Sequence, residues 1–181
     1  PVQIGCRTIE ESERLSAKLA ELTVPHTLLN AKTVDEEAKI ISHAGISGAI
    51  TVATNMAGRG THISLDDAAL NEGGLHVIAT GLEESSRIDR QLTGRAARQG
   101  QPGSCQFFLS GEDELLESRY PDEAARLVNG SKNKLFGEVK ASRWFPLFEK
   151  AQRQVEKSRY EQRVTSFLYN ERLNESKENL S

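Results

Sequence analysis

The chain has 181 residues, 37% of them hydrophobic and 27% charged, with a formal net charge of -3 and a pI near 5.9. That length supports one well-buried domain plus an appendage, and the acidic balance argues against a free-standing nucleic-acid binder. No apolar run approaches the ~18 residues of a membrane-spanning helix, and no signal peptide is visible.

Pro1 opens the chain without an initiator Met, which reads as a piece of a longer protein. Val2 to Cys6 reads as a buried strand. Thr8 and Glu11 form a capping box for a helix with Leu15, Leu19 and Leu22 on one face. That helix stops before Pro25, and His26 to Asn30 reads as a second strand. Thr33 and Glu36 form another capping box, for a helix that packs Val34, Ala38 and Ile41 and ends at Gly45. Ala49 to Ala53, rich in β-branched residues, is a strand, and Leu75 to Ala79 is another. Ser85 or Ser86 caps a helix through about Arg98, closed by Gly100. Ser104 to Leu109 is the last strand. Strands alternating with helices at this spacing call for a parallel sheet covered on both faces, an α/β fold with its ligand edge at the carboxyl ends of the strands.

After Gly111 the pattern changes. Glu112 to Leu116 and Asp122 to Val128 read as short helices, and Asn129-Gly130-Ser131 as a turn. A long helix is expected from Pro146, in its first turn, to Asn179. Trp144, Phe148, Ala151 and Val155 recur at 3–4 spacing along it, as do Tyr160, Val164 and Phe167. The charges from Lys150 to Arg163 are mixed in sign and read as a solvated helix face. Cys6 and Cys105, both in apolar runs, read as reduced core thiols. His26, His43 and His76 show no metal-ligand spacing.

Two segments carry chemistry. Thr54-Asn55-Met56-Ala57-Gly58-Arg59-Gly60-Thr61 follows a strand, and its glycines let backbone N–H groups approach a phosphate while Arg59 supplies a planar cationic fork. On a helix from Ser86, the residues Arg87, Gln91, Arg95 and Arg98 would share one face, with Ile88, Leu92 and Ala96 forming the neighbouring apolar stripe. Cations concentrated this way call for an anion opposite, and the two segments are expected at the same sheet edge. On the tripeptide Gly58-Arg59-Gly60 alone, an ordinary glycine turn is the better reading; the second segment shifts the balance.

The runs Thr54 to Thr61 and Gln91 to Gly103, with the strand Phe107-Phe108-Leu109-Ser110, resemble the second nucleotide-binding domain of the SecA preprotein translocase ATPase family. The resemblance extends upstream through Ile9 to Glu13 and Leu29 to Lys32, and downstream through Ala151 to Glu156. It implies a RecA-like domain of the superfamily 2 type over residues 1–111, a short helical connector over 112–145 and the start of a long scaffold helix over 146–181. It implies that Arg59, Arg95 and Arg98 face the phosphates of ATP bound with Mg, with Arg95 or Arg98 as the arginine finger. Gly58, Gly60, Thr61 and Gln91 would shape the nucleotide site. The implied partners are the first nucleotide-binding domain of the same protein, a preprotein and a SecYEG-type membrane channel, in a bacterial-type cytoplasmic, peripherally membrane-associated setting. The apolar stripe of the long helix also admits a second copy of the chain, and nucleic acid is not expected.

Three residues depart from the family pattern: His62 stands where the family has Asp, Thr93 where it has Arg, and Ala97 where it has Gly. They motivate the reading of a divergent or SecA-like paralogue. The sequence holds no Gly-x-x-x-x-Gly-Lys-[Ser/Thr] loop and no apolar strand ending in Asp-Glu, so this chain alone is not expected to hydrolyse ATP. Two rival readings stay open: the second lobe of a superfamily 2 nucleic-acid helicase, and a non-catalytic interaction module.

Overall fold

The computed structural model describes residues 1–30, 37–54, 61–132 and 141–178. Their elements run β1 (Val2–Cys6), α1 (Ile9–Glu21), β2 (Thr27–Leu29), α2 (Glu37–His43), β3 (Ile50–Thr54), α3 (Asp67–Asn71), β4 (Leu75–Ala79), α4 (Ser86–Thr93), β5 (Gly103–Phe107), α5 (Glu114–Glu117), α6 (Pro121–Lys132) and α7 (Ala141–Glu178). The five strands form one sheet in the order β2-β3-β1-β4-β5, and every neighbouring pair is parallel. This is a RecA-like α/β fold, a parallel sheet covered on both faces, with a long helix appended.

Parallel strands require crossovers, and their right-handedness puts α1 on one face of the sheet and α2, α3 and α4 on the other. The register makes the division visible. Gly5 lies opposite Ala53 and Ala79, and Ala53 lies opposite Leu29. Leu29, Ala53, Leu75, Val77 and Ala79 then share a core with Ile40 and Ile41 of α2, Ile63 and Leu92 of α4. Cys6 and Val52 point to the other face and are fully buried. Burial pushes the Cys6 thiol up to about 11, with the nearby Glu11 carboxylate adding to the rise.

A second core joins Leu82, Leu115 and Leu116 of α5, Ala124 and Leu127 of α6, and Phe148, Ala151 and Val155 of α7. Phe107, at the end of β5, packs against both cores. The first half of α7 is therefore fastened to the sheet domain through apolar contact. Burying a side chain such as Phe148 stabilises by roughly 1.5–3 kcal/mol. Beyond Arg159 the helix continues with Tyr160, Phe167, Leu168 and Tyr169 exposed. Its 38 residues make a rod of about 57 Å at ~1.5 Å per residue.

β1 and β4 coincide with the runs read from the sequence. Thr8 caps α1, its hydroxyl accepting the Glu11 N–H at 3.1 Å, while the Glu11 carboxylate accepts the Arg7 N–H at 3.0 Å. Other expectations are corrected. Leu22 is 70% exposed, because it is the C-cap of α1 and has left the helix face. Ile41 is buried as expected, but Ala38 is exposed and Ile40 is buried in its place. The capping box at Thr33 and Glu36 and the packing of Val34 lie outside the described residues. Asn129, Gly130 and Ser131 continue α6, because buried Leu127 ties that helix into the second core. Pro146 sits in the second turn of α7, which begins at Ala141. Cys105 is exposed on edge strand β5 and so is no core thiol. α3 went unread; its start is Asp66, whose carboxylate accepts the Ala69 N–H at 2.7 Å and the Ser47 N–H at 3.1 Å.

Candidate functional site

Ser85 caps α4 by position but its own side chain makes no cap bond. The free donors of the first turn are met from α7: Glu156 Oε1 accepts the Ser86 N–H at 2.6 Å and the Ser86 hydroxyl at 3.0 Å. A carboxylate at a helix N-terminus satisfies an orphan N–H and complements the helix dipole. Burial pushes the Glu156 carboxyl up, but the bonds from Ser86 and Ser85 and the charge of Arg90 outweigh it, so the net shift is below the ordinary range.

One turn further on, Asp89 is 6% exposed and Gln152 of α7 is 5% exposed. Gln152 Nε2 donates to Asp89 Oδ2 and to the Glu83 carbonyl. Asp89 Oδ1 accepts the Glu83 N–H at 3.0 Å. Burial raises the Asp89 carboxyl above its usual range, against the opposing pull of the Glu83 and Gln152 bonds. At the rim Arg159 meets Glu84 at 2.6 Å. Residues 152, 156 and 159 fall at i, i+4 and i+7, so one stripe of α7 grips the start of α4.

The other end of α4 is shorter than the sequence spacing implied. The helix ends at Thr93 with Gly94 as C-cap, because glycine is a poor helix former that exposes backbone. The last carbonyls then turn to tighter bonds: the Arg95 N–H donates to Leu92 and the Ala96 N–H to Thr93. Arg98 Nε donates to the Gly94 carbonyl at 2.8 Å. Ala97 and Gln99 take left-handed conformations, with φ of 53° and 54°. Arg98 to Gly100 form a 3-10 turn. Arg95 and Arg98 therefore do not continue the face of Arg87 and Gln91.

Their place on the sheet also differs from the expectation of one shared edge. β3 ends at Thr54 on the carboxyl edge, where the glycine-arginine segment begins. α4 runs back from that edge, and a Cβ on Gly103, the first residue of β5, would lie 2.4 Å from the Ala97 amide nitrogen. The turn carrying Arg95 and Arg98 thus sits by the starts of β4 and β5. The chain after Thr61 reaches the same amino edge, where the Asp66 N–H donates to the Gly45 carbonyl at 3.3 Å.

Gly58, Arg59 and Gly60 lie outside the described residues. Thr61 is exposed, and Gln91 is exposed on the last turn of α4. Arg95 and Arg98 do come together. Burial pulls the Arg95 guanidinium below its ordinary range, and the Arg98 charge pulls it in the same direction, against the Glu37 carboxylate. Two neighbouring guanidiniums, both half-buried, are suited to a multiply charged anion that spreads charge over several oxygens. Among the described residues no His, Cys, Asp or Glu cluster could hold a metal ion. A separate cavity of about 510 Å³ lies between α1, the segment before α4, α5 and α7, lined by Arg7, Glu11, Arg14, Glu84 and Val155. It is on the α1 face and apart from the arginine pair.

The sequence reading missed Glu37, Asp89, Gln152 and Glu156. Asp89 and Gln152 are 63 residues apart, and no local pattern connects them.

The SecA P-loop domain family matches residues 1–71 and 66–134. A protein translocase subunit SecA from Chlamydia abortus is 45% identical over 181 residues, covering 99% of this chain and 19% of that protein. The subunit of the same name from Desulfovibrio desulfuricans is 42% identical over 98% of this chain and 21% of its own length. The chain thus spans about a fifth of the curated relatives it matches. Among solved structures, one of the E. coli DEAD-box protein SrmB bound to regulator of ribonuclease activity A has a TM-score of 0.52. It is 23% identical and covers 65% of each chain; it speaks to the fold alone. No described helix is long and apolar enough to cross a membrane. On the family match and on identity along nearly its whole length, the chain belongs to the SecA family.

Proposed function

We propose that this chain is the second motor lobe of a SecA-type, ATP-driven protein translocation motor. Residues 1–111 form the lobe, 112–145 a connector and 146–181 the start of a scaffold helix. The lobe supplies Arg95 and Arg98 to a triphosphate whose cradle and Mg ligands belong to a first nucleotide-binding lobe. The observation that carries the reading is the adjacent, partly desolvated arginine pair on a chain of this family. A guanidinium taken out of water acts more strongly on the charge that develops during phosphoryl transfer. Arg95 and Arg98 fit a triphosphate, and no His, Cys, Asp or Glu cluster among the described residues would hold its magnesium. Gly58, Arg59, Gly60, Thr61 and Gln91 complete the proposed nucleotide set. Preprotein, a SecYEG-type channel and peripheral membrane association belong to the same proposal.

Turnover by the full-length protein carrying Arg98→Ala tests it. Loss of at least about 10³-fold in kcat with ATP binding retained is the expected result for an arginine finger. Unchanged turnover would remove the arginine pair from the reaction. The helicase reading, which the shared fold keeps in view, requires stimulation of that ATPase by RNA or DNA and not by preprotein with channel-containing membranes. Absent activity in a folded full-length protein would favour the interaction module, with His62, Thr93 and Ala97 as the disabling departures.

A further inference from the structure

We propose that Gln152 and Glu156 of α7 are positioning residues for the arginine pair, so that the long helix sets where Arg95 and Arg98 stand. The inference deepens the reading above and rests on it. Three observations carry it. The cap of α4 comes from Glu156, 70 residues along the chain, and not from the local Ser85 side chain. The buried Asp89 carboxylate on α4 is completed by Gln152, and a buried carboxylate left short of donors is costly. The helix between these ties and Gly94 is only eight residues long.

Such a helix moves as a unit. Its interior bonds are stiff, and its apolar anchor Leu92 faces the sheet. A shift of α7 along or away from α4 must either carry the first turn with it or leave the Ser86 N–H unmatched and Asp89 Oδ2 without its Gln152 donor. Because the turn at Gly94 follows directly, a shift of the first turn reaches Arg95 and Arg98 within one more turn of chain. Positioning errors of about 1 Å at a reacting centre cost on the order of 10²-fold in rate. The polar stripe thus makes the long helix a lever on the arginines, while Phe148, Ala151 and Val155 beside it supply the adhesion.

The test uses the full-length protein with Glu156→Ala, Glu156→Gln, Gln152→Leu and Arg98→Ala, assayed for kcat and KM with MgATP. Hydrogen exchange of the Ser86–Thr93 amides is measured on the same samples, with β1 and β3 amides reporting the fold. Glu156→Ala and Gln152→Leu are expected to speed exchange in α4 and to lower kcat about tenfold or more, with KM within twofold. Glu156→Gln, whose amide oxygen still accepts from Ser86, is expected to restore most of kcat. Arg159→Ala breaks only the exposed tie to Glu84 and folds in any case; it is expected to lower kcat about twofold. Unchanged kcat in Glu156→Ala, Gln152→Leu and Arg159→Ala, with Arg98→Ala inactive, would overturn the positioning role and leave the proposed function standing. Full turnover in Arg98→Ala would overturn both.

Discussion

The two ends of α4 are held by different physics. At its start, Ser86 takes its partner and Asp89 its Oδ2 donor from α7, so position there depends on tertiary contact. At its end, Gly94 stops the helix, Ala97 and Gln99 sit at positive φ, and the ties are local bonds such as Arg98 Nε to the Gly94 carbonyl. The first end can be released by moving another helix. The second changes only if the backbone itself changes. A pair of arginines placed beyond the second end inherits a rigid local shape and an adjustable origin.

The contrast can be broken most severely by removing the adhesion of α7. Phe148 is 1% exposed, and Phe148→Ala is expected to cost about 3–5 kcal/mol in urea denaturation, while Phe167→Ala on the exposed half changes stability by less than about 0.5 kcal/mol. Equal losses at the two sites would mean that the second half of α7 is packed as well. Next in size is the local end. A methyl on Gly103 would meet the Ala97 backbone nitrogen at 2.4 Å, where no flexible side chain can give way. Gly103→Ala is expected to cost about 2–3 kcal/mol and to disturb amides near Arg95 and Arg98 before those of Ser86 to Asp89.

The tertiary end has its own signature in pH. Glu156 titrates below its ordinary range in the folded chain, so its contribution is present above the unfolded pKa of roughly 4.3 and is lost as pH falls through the folded value. Asp89 is shifted the other way: the folded state favours its protonated form, so acid relieves that site over the interval between its ordinary and raised values. Glu156→Ala is expected to cost about 1 kcal/mol near pH 7, and its difference from the unsubstituted chain is expected to shrink on acidification below about pH 4.5. A difference independent of pH would mean that the carboxylate charge is not what caps α4. The smallest effect has the opposite sign. Ala97→Gly relieves a left-handed alanine and is expected to raise stability by about 0.5–1 kcal/mol, the strain relief being partly offset by the freer unfolded chain. A loss there would show that the alanine methyl makes a contact worth more than the strain.

The strands were legible because a parallel sheet buries both faces, which leaves short, mostly apolar runs such as Leu75 to Ala79 and Val2 to Cys6, each broken by a single polar residue, His76 and Gln3. The cap of α1 was legible because Thr8 and Glu11 act over three residues. The arginine pair was visible as composition, yet its geometry was misread: helical periodicity was carried through Gly94, and the backbone turned there. The turn assigned to Asn129-Gly130-Ser131 failed for the reverse reason, since packing through Leu127 overrode weak local propensities. Asp89, Gln152 and Glu156 were illegible because their meaning lies in pairing across more than 60 residues. Of the glycine-arginine segment, 55–60 lie outside the described residues, and only its ends, Thr54 and Thr61, are described.

Trp144 is the single tryptophan of the chain. It packs against the second core on α7, with the Arg143 guanidinium 5.6 Å from its ring centre. Its emission therefore reports the solvent seen by the first turns of the long helix, while the sheet, which has no tryptophan, stays dark. A red shift that precedes loss of circular dichroism would time the departure of α7 separately from unfolding of the domain beneath it. The molecule thus carries a built-in optical gauge at the junction of α7 with the sheet domain.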